Sequence, residues 1–156
     1  MKIAVITGAS SGLGKEFAKQ IEALKSCDEL WLVARREERL NALADALMTK
    51  CRIFPFDLTD PKNADDLAAA VKTSGATVEF LVNAAGFGKF GDYSEVSRAD
   101  ARGMIDLNAR ALADVTAAMI PFMKRGSHVI EIASISAYLP LENLSVYAAT
   151  KAFVLI

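Results

Sequence analysis

Apolar and polar positions alternate in blocks along this chain. Residues 2–7 (KIAVIT) form a short apolar, β-branched run bounded by Gly8, the pattern of a strand buried on both faces. Residues 12–25 then carry Leu13, Phe17, Ile21 and Leu24 at offsets of four, four and three, an amphipathic helix. The pair repeats. Strands are predicted over 29–34, 51–56, 78–83 and 128–133, and helices over 36–49, 61–73, 98–125 and from 145 to the last residue. Leu40, Leu43 and Leu47 share one face of the second helix, while Asp60 and Pro61 give the third an N-cap and a first-position proline. A loop rich in Gly and Phe (residues 86–91) follows the fourth strand, and a loop holding Pro140 follows the fifth.

Strands that are near-continuous apolar runs, each followed by a helix, predict an α/β fold. The architecture is a doubly wound, Rossmann-type parallel sheet with helices on both faces. With no linker and no repeat, residues 1–156 read as a single dinucleotide-binding domain. The chain stops inside a helix at Ala152-Phe153-Val154-Leu155-Ile156, with no cap. Apolar residues at a terminus need covering, so the expectation is a C-terminally incomplete fold or a partner subunit over this end.

Composition removes several functions. Lys and Arg number 18 against 19 Asp and Glu, so the basic excess of a nucleic-acid binder is missing. No apolar stretch reaches the roughly 18 residues of a membrane helix, and the N-terminal apolar run is too short for a signal peptide. The expectation is a cytoplasmic protein with no nucleic-acid or membrane partner. Cys27 and Cys51 are isolated, with no CxxC and no nearby histidine, which suits neither a disulfide framework nor a metal site. His128 is the single histidine, so a Ser–His nucleophile would depend on it alone; a scaffold or surface role fits it better.

Candidate chemistry begins where the first strand runs into Thr7-Gly8-Ala9-Ser10-Ser11-Gly12-Leu13-Gly14 and the first helix starts. Ligands of such sheets bind outside the carboxyl ends of the strands. A helix N-terminus there offers unpaired N–H groups and partial positive charge to a pyrophosphate. Gly8 allows the tight turn, Gly12 a close backbone approach, and Gly14 the packing of helix on strand; Ser10 and Ser11 add hydroxyl donors. The spacing is not that of a P-loop, since Gly14-Lys15 is followed by Glu16 and Ala9 stands where the first glycine belongs. The second strand ends in Arg35-Arg36, whereas Asp28 and Glu29 lie at its other end. Arginine at this position suits a ribose 2′-phosphate, so NADP(H) is favoured over NAD(H). Positive charge at the start of a helix is unfavourable by itself, which adds weight to a binding role for Arg36.

A second centre lies near the C-terminus. Tyr147 and Lys151 are four apart on a predicted helix and share one face. An ammonium beside a phenol favours the phenolate, so the pair suits proton exchange with a carbonyl or alcohol oxygen.

With these motifs in order, the sequence resembles the short-chain dehydrogenases/reductases. Thr7 to Gly14 looks like the family's TGxxxGxG, and Tyr147 to Lys151 like its YxxxK. Ser134, thirteen residues before Tyr147, stands where the family keeps its catalytic serine, and Asn108 matches the helix asparagine of its tetrad. Asn83-Ala84-Ala85-Gly86 resembles NNAG, with Ala84 in place of the second Asn, and Asp57-Leu58 resembles the pair beside the adenine. The resemblance implies that Tyr147 is the general acid/base. Lys151 tunes it and holds the nicotinamide ribose, Ser134 orients the reacting oxygen, and Asn108 holds a water in a proton relay through Lys151. It also implies two further strands and a substrate-covering loop that this sequence lacks, and pairing between subunits through the last two helices.

Three readings follow. The first is an NADP(H)-dependent oxidoreductase acting on a small carbonyl or alcohol. The second is a truncated nucleotide-binding module without turnover. The third is an assembly protein, a homo-oligomer associating through Phe153, Val154, Leu155 and Ile156. Turnover by the chain itself separates the first two, and the oligomeric state tests the third.

Overall fold

A computed structural model describes residues 1–139 and 141–156; Pro140, in the loop before the last helix, lies outside the described residues. Each strand and helix expected from the pattern is present. The order is β1 (Lys2–Thr7), α1 (Gly12–Leu24), β2 (Glu29–Val33), α2 (Glu37–Ala46), β3 (Lys50–Phe54), α3 (Pro61–Ser74) and β4 (Thr77–Asn83). Then come α4 (Arg98–Ile105), α5 (Leu112–Met119), β5 (His128–Glu131) and α6 (Ser145–Leu155). The five strands pair in parallel in the order β3-β2-β1-β4-β5. The chain winds outward from β1 to β3 and crosses back to β4, so the direction of winding reverses between β1 and β4. That is where a doubly wound sheet opens a crevice.

Alternation along β1 divides the core. Ile3 and Val5 join Trp31, Val33, Phe54, Leu67, Val71, Leu81, Val115 and Met119 on the face covered by α3 and α5. Ala4 and Ile6 join Ala18, Ile21, Leu30, Leu32, Leu40, Leu43 and Val82 on the face covered by α1 and α2. Burying each large side chain contributes about 1.5–3 kcal/mol, and β2, with Leu30, Trp31, Leu32 and Val33 all fully buried, supplies more of them than β1. The acid at the start of β2 serves this scaffold. Glu29 accepts from Lys50 Nζ at 2.6 Å and from the buried Trp31 Nε1 at 3.0 Å, at the far end of the strand from the crevice.

α3 starts as its cap signals predict, with the Asp60 side chain accepting from the Lys62 amide and Pro61 in the first turn. The expected long helix over 98–125 is not continuous. Between α4 and α5 the backbone widens into a π-helical segment, Asp106–Ala111, and the helix tightens into a 3₁₀ turn at Ile120–Phe122. Asn108 lies inside the widened segment, and Pro121, which has no N–H to donate, lies in the tightened one. α6 packs along α4 and the π segment.

Candidate active site

The carboxyl ends of the strands open into a crevice of about 500 Å³. Its wall includes Gly8, Ser10, Ser11, Gly12 and Leu13 from the first turn, Arg35 and Arg36 after β2, and Asp57 and Leu58 after β3. Ala84, Ala85 and Gly86 line it after β4, as do Ser134, Tyr147 and Lys151. Of the residues singled out from the sequence, only Gly14, Asn83 and Asn108 stand back from this wall, and all three are buried.

On the nucleotide side the turn is set by clearance. A Cβ on Gly8 would lie 2.6 Å from the Ala84 carbonyl oxygen, and one on Gly14 would lie 2.4 Å from the Gly8 carbonyl oxygen. Gly12 differs: its φ is +54° and nothing stands within 4 Å of the missing Cβ, so its backbone faces open space. Ser11 occupies the N-cap of α1 yet makes no capping hydrogen bond, and the first turn holds no acidic residue. The positive end of α1 is therefore not neutralised from within its own helix. Arg36 Nη2 instead donates to Ser10 Oγ at 2.9 Å and Ser11 Oγ at 3.1 Å, laying a guanidinium across the turn. Arg35 lines the same wall near Asp57. Burial favours the protonated Asp57 carboxyl, but hydrogen bonds from the Thr59 hydroxyl and amide, with the charge of Arg35, bring it below its ordinary value. Thr7 Oγ1 accepts from the Ala85 amide at 3.1 Å and ties the ends of β1 and β4 together.

The other side of the crevice holds separate hydrogen-bonded sets of polar groups, with Lys151 and Asn108 buried and Ser134 and Tyr147 half-buried. Lys151 is 6% exposed, and its Nζ lies 5.9 Å from the centre of the Tyr147 ring. The ammonium donates to the Ile132 carbonyl at 2.6 Å. Burial pushes the Lys151 pKa below its ordinary value, and the negative charge of Glu131 opposes that shift. Ser134 Oγ accepts from both the amide (3.2 Å) and hydroxyl (2.8 Å) of Ser136, which leaves its own O–H to donate into the crevice.

Asn108 makes three hydrogen bonds to protein. Its Oδ1 accepts from the Phe87 amide at 3.0 Å, and its Nδ2 donates to the Phe87 carbonyl at 2.8 Å and to Thr150 Oγ1 at 3.1 Å. Thr150 Oγ1 in turn donates to the Tyr147 carbonyl at 2.8 Å. Both amide hydrogens are used, and one lone pair of Oδ1 remains for a water. Asn83 Nδ2 donates to Thr116 Oγ1 at 2.8 Å and to Glu131 Oε1 at 3.1 Å, while Glu131 Oε2 is buried without a partner.

Sequence reasoning missed Ser136, Thr150, Glu131 and the Phe87 main chain. Glu131 carried one signal, a lone acid inside an apolar strand run. The Phe87 clamp carried none, because it is a main-chain contact across 21 residues.

The sequence profile of the short chain dehydrogenases matches residues 2–156. An uncharacterized oxidoreductase of Staphylococcus epidermidis is 37% identical over 97% of this chain and 66% of its own length. Sulfoacetaldehyde reductase 2 of Chromohalobacter salexigens is 33% identical over 97% of this chain and 62% of its own. The closed form of a serine dehydrogenase complexed with NADP+ superposes with a TM-score of 0.88 at 29% identity, over 99% of this chain and 62% of that one. The chain thus spans about two thirds of the length of the proteins it matches. It belongs to the short-chain dehydrogenase family of oxidoreductases.

Proposed function

We propose that this chain binds NADP(H) in preference to NAD(H) and serves the interconversion of a small carbonyl and its alcohol, with Tyr147 as general acid/base. One observation carries the reading: Ser134, Tyr147 and Lys151 line the same crevice as the glycine turn and both arginines. The donor set suits a phosphorylated dinucleotide. Open space lies over Gly12, α1 has no acid in its first turn, and two guanidinium groups stand at the end of β2. The turn from Gly8 to Gly14 would hold the pyrophosphate and Arg35 and Arg36 a 2′-phosphate. Asp57 and Leu58 would flank the adenine, and residues 83–86 would support the ribose side.

The nicotinamide, when bound, supplies the hydride. The chain's own residues manage the oxygen. The free O–H of Ser134 points a hydrogen bond at it, and Tyr147 gives or takes its proton. Lys151 keeps positive charge next to the phenol and holds the ribose, and Asn108 fixes the helix from which this pair projects. A water on the remaining Asn108 lone pair would extend a proton relay through Lys151.

The remaining expectations belong to the same proposal. Tyr93, Ile105, Ala109, Val146, Ala149 and Phe153 form an apolar groove between α4–α5 and α6, which suits a homo-oligomer through these helices. No described helix is long and apolar enough to cross a membrane. A cytoplasmic enzyme of small molecules, without nucleic-acid or membrane partners, is the setting we infer.

The test combines NADPH with sulfoacetaldehyde and NADP+ with serine, reading absorbance of the reduced nicotinamide. Turnover that Tyr147→Phe removes supports the reading; turnover that survives this change overturns the acid/base role. NADPH binding with no turnover across a panel of carbonyls identifies a nucleotide-binding module. Arg35→Ala is expected to weaken NADPH far more than NADH, and equal losses would refute 2′-phosphate recognition.

A further inference from the structure

The glycine and phenylalanine loop after β4 is more constrained than cofactor support requires. Gly86 and Gly88 both lie outside the positive-φ region, so their backbone conformation does not ask for glycine. Space does. A Cβ on Gly88 would lie 3.0 Å from Tyr147 Cδ2, 3.2 Å from Cγ and 3.3 Å from Cε2. Three atoms of one ring edge therefore rest on the bare α-carbon. A Cβ on Gly86 would meet Asn108 Oδ1 at 3.0 Å and Lys151 Nζ at 3.6 Å.

A loop that could swing away would accept a methyl group here at little cost. This one is fastened residue by residue. Asn108 holds both the N–H and the carbonyl of Phe87. The Phe87 ring is seated on α4, where a Cβ on Gly103 would come within 3.2 Å of its Cζ. The next amide, Lys89 N–H, points at the sulfur of the fully buried Met104 at 3.4 Å. Pressure at position 88 must then be relieved by the tyrosine ring, which is only half-buried.

We propose that Gly88 is a positioning residue for Tyr147: its bare α-carbon, fixed by the Asn108–Phe87 clamp and the Phe87–Gly103 seat, sets where the phenol ring lies in the crevice. The clamp thereby acts on both members of the pair, through the loop on the ring of Tyr147 and through Thr150 on the turn of α6 that carries Lys151. The catalytic consequence rests on the role proposed for Tyr147; the placement of the ring does not.

The experiment uses the whole chain with ¹³C-labelled tyrosine. It has three tyrosines, Tyr93, Tyr138 and Tyr147, and the Tyr147 signal is assigned by its loss in Tyr147→Phe. Gly88→Ala is expected to move the Tyr147 ring signal and leave those of Tyr93 and Tyr138 in place, with NADPH affinity unchanged. In turnover of NADPH with sulfoacetaldehyde, kcat falls about tenfold to a hundredfold while KM holds, the mark of a misplaced reacting group. An unmoved Tyr147 signal overturns the proposal. So does an unchanged kcat in Gly88→Ala when Tyr147→Phe abolishes turnover. Should Tyr147→Phe leave turnover intact, the acid/base reading fails, and the ring signal still decides the placement. If Gly88→Ala does not fold, Gly103→Ala decides. Pushing on the Phe87 ring must shift the Tyr147 signal, by less than a methyl group at 88 would, and no shift refutes the proposal.

Discussion

The two sides of the crevice are built differently. On the nucleotide side, Gly12 and Gly14 act inside one strand–turn–helix unit, Gly8 clears the backbone at Ala84, and Arg35 and Arg36 reach in from an exposed strand end. On the reaction side, Asn108, Phe87, Thr150 and Tyr147 come from three separate segments and hold one another by hydrogen bonds, while Lys151 donates to the Ile132 carbonyl. The first side is a local shape with room left for a ligand. The second is a long-range polar assembly whose members already satisfy one another. Substitutions on the first side should divide cleanly into those that break the fold and those that weaken binding. On the second, loss of one member should be felt by the others.

The sharpest division lies between two glycines only two residues apart. Gly14→Ala would drive a Cβ to 2.4 Å from the Gly8 carbonyl oxygen and 2.6 Å from its carbon, both backbone atoms that no rotamer can move. We expect a loss of about 4 kcal/mol or more, the range of severe overpacking, or no folded protein at all. Gly12→Ala meets nothing within 4 Å and pays only for its φ of +54°, about 1–2 kcal/mol. Its methyl group enters the space where a pyrophosphate would approach, so NADPH binding should fall more than stability does. Urea unfolding and NADPH titration of the two variants measure the contrast. Equal stabilities would mean that helix–strand contact at Gly14 is not limiting.

On the reaction side the largest expected effect is Asn108→Leu. It removes the partners of the Phe87 amide, the Phe87 carbonyl and one contact of Thr150. Each buried polar group left alone costs about 1–3 kcal/mol, so the chain should lose several. Thr150→Val strands only one Asn108 hydrogen, since the Tyr147 carbonyl keeps its place in the α6 ladder, and should cost less. The double variant should cost less than the sum, since the two residues share a bond. Additive losses in denaturant midpoints would show that the assembly does not act as a unit.

This contrast also governs what the sequence could reveal. The parallel sheet was legible because β1, β2 and β4 are buried on both faces, and burial of that kind writes unbroken apolar runs. The glycine turn and Arg35-Arg36 were legible because each is a compact run of residues at a strand end, even though Gly8 clears Ala84 and Arg36 reaches Ser10 and Ser11. Tyr147 and Lys151 could be paired because one helical turn fixes their spacing. Asn108 is legible as the match to the family's helix asparagine, but its partner is a main-chain group at Phe87, and main-chain groups have no sequence signature. The π segment escaped for the same reason: nothing in apolar periodicity separates a turn widened around one inward amide from an ordinary helix. Ser136, two residues after Ser134, proves to be its buried neighbour, donating two hydrogen bonds to it.

The smallest expected effect sets the far end of the sheet against the crevice in alkaline solution. Burial pushes the Cys51 thiol, near the start of β3 and away from the crevice, up to about 11. A group raised on folding stabilises fully below its unfolded pKa, about 8.5 for a thiol, and loses that contribution as pH climbs toward the folded value. Lys151 has the opposite sign. Its folded pKa lies below the unfolded value, so burying the ammonium is a penalty at neutral pH. That penalty is relieved as pH rises through the folded pKa toward the unfolded value of about 10.4. In the parent chain the two slopes oppose. Cys51→Ala should remove the loss, so its urea midpoint should decline less steeply than the parent's between about pH 8.5 and 10.5. Lys151→Met should remove the gain and decline more steeply over the same range. A Cys51→Ala profile parallel to the parent's would mean that the thiol is not held neutral by β3. A parallel Lys151→Met profile would mean that the ammonium is solvated rather than buried beside Tyr147.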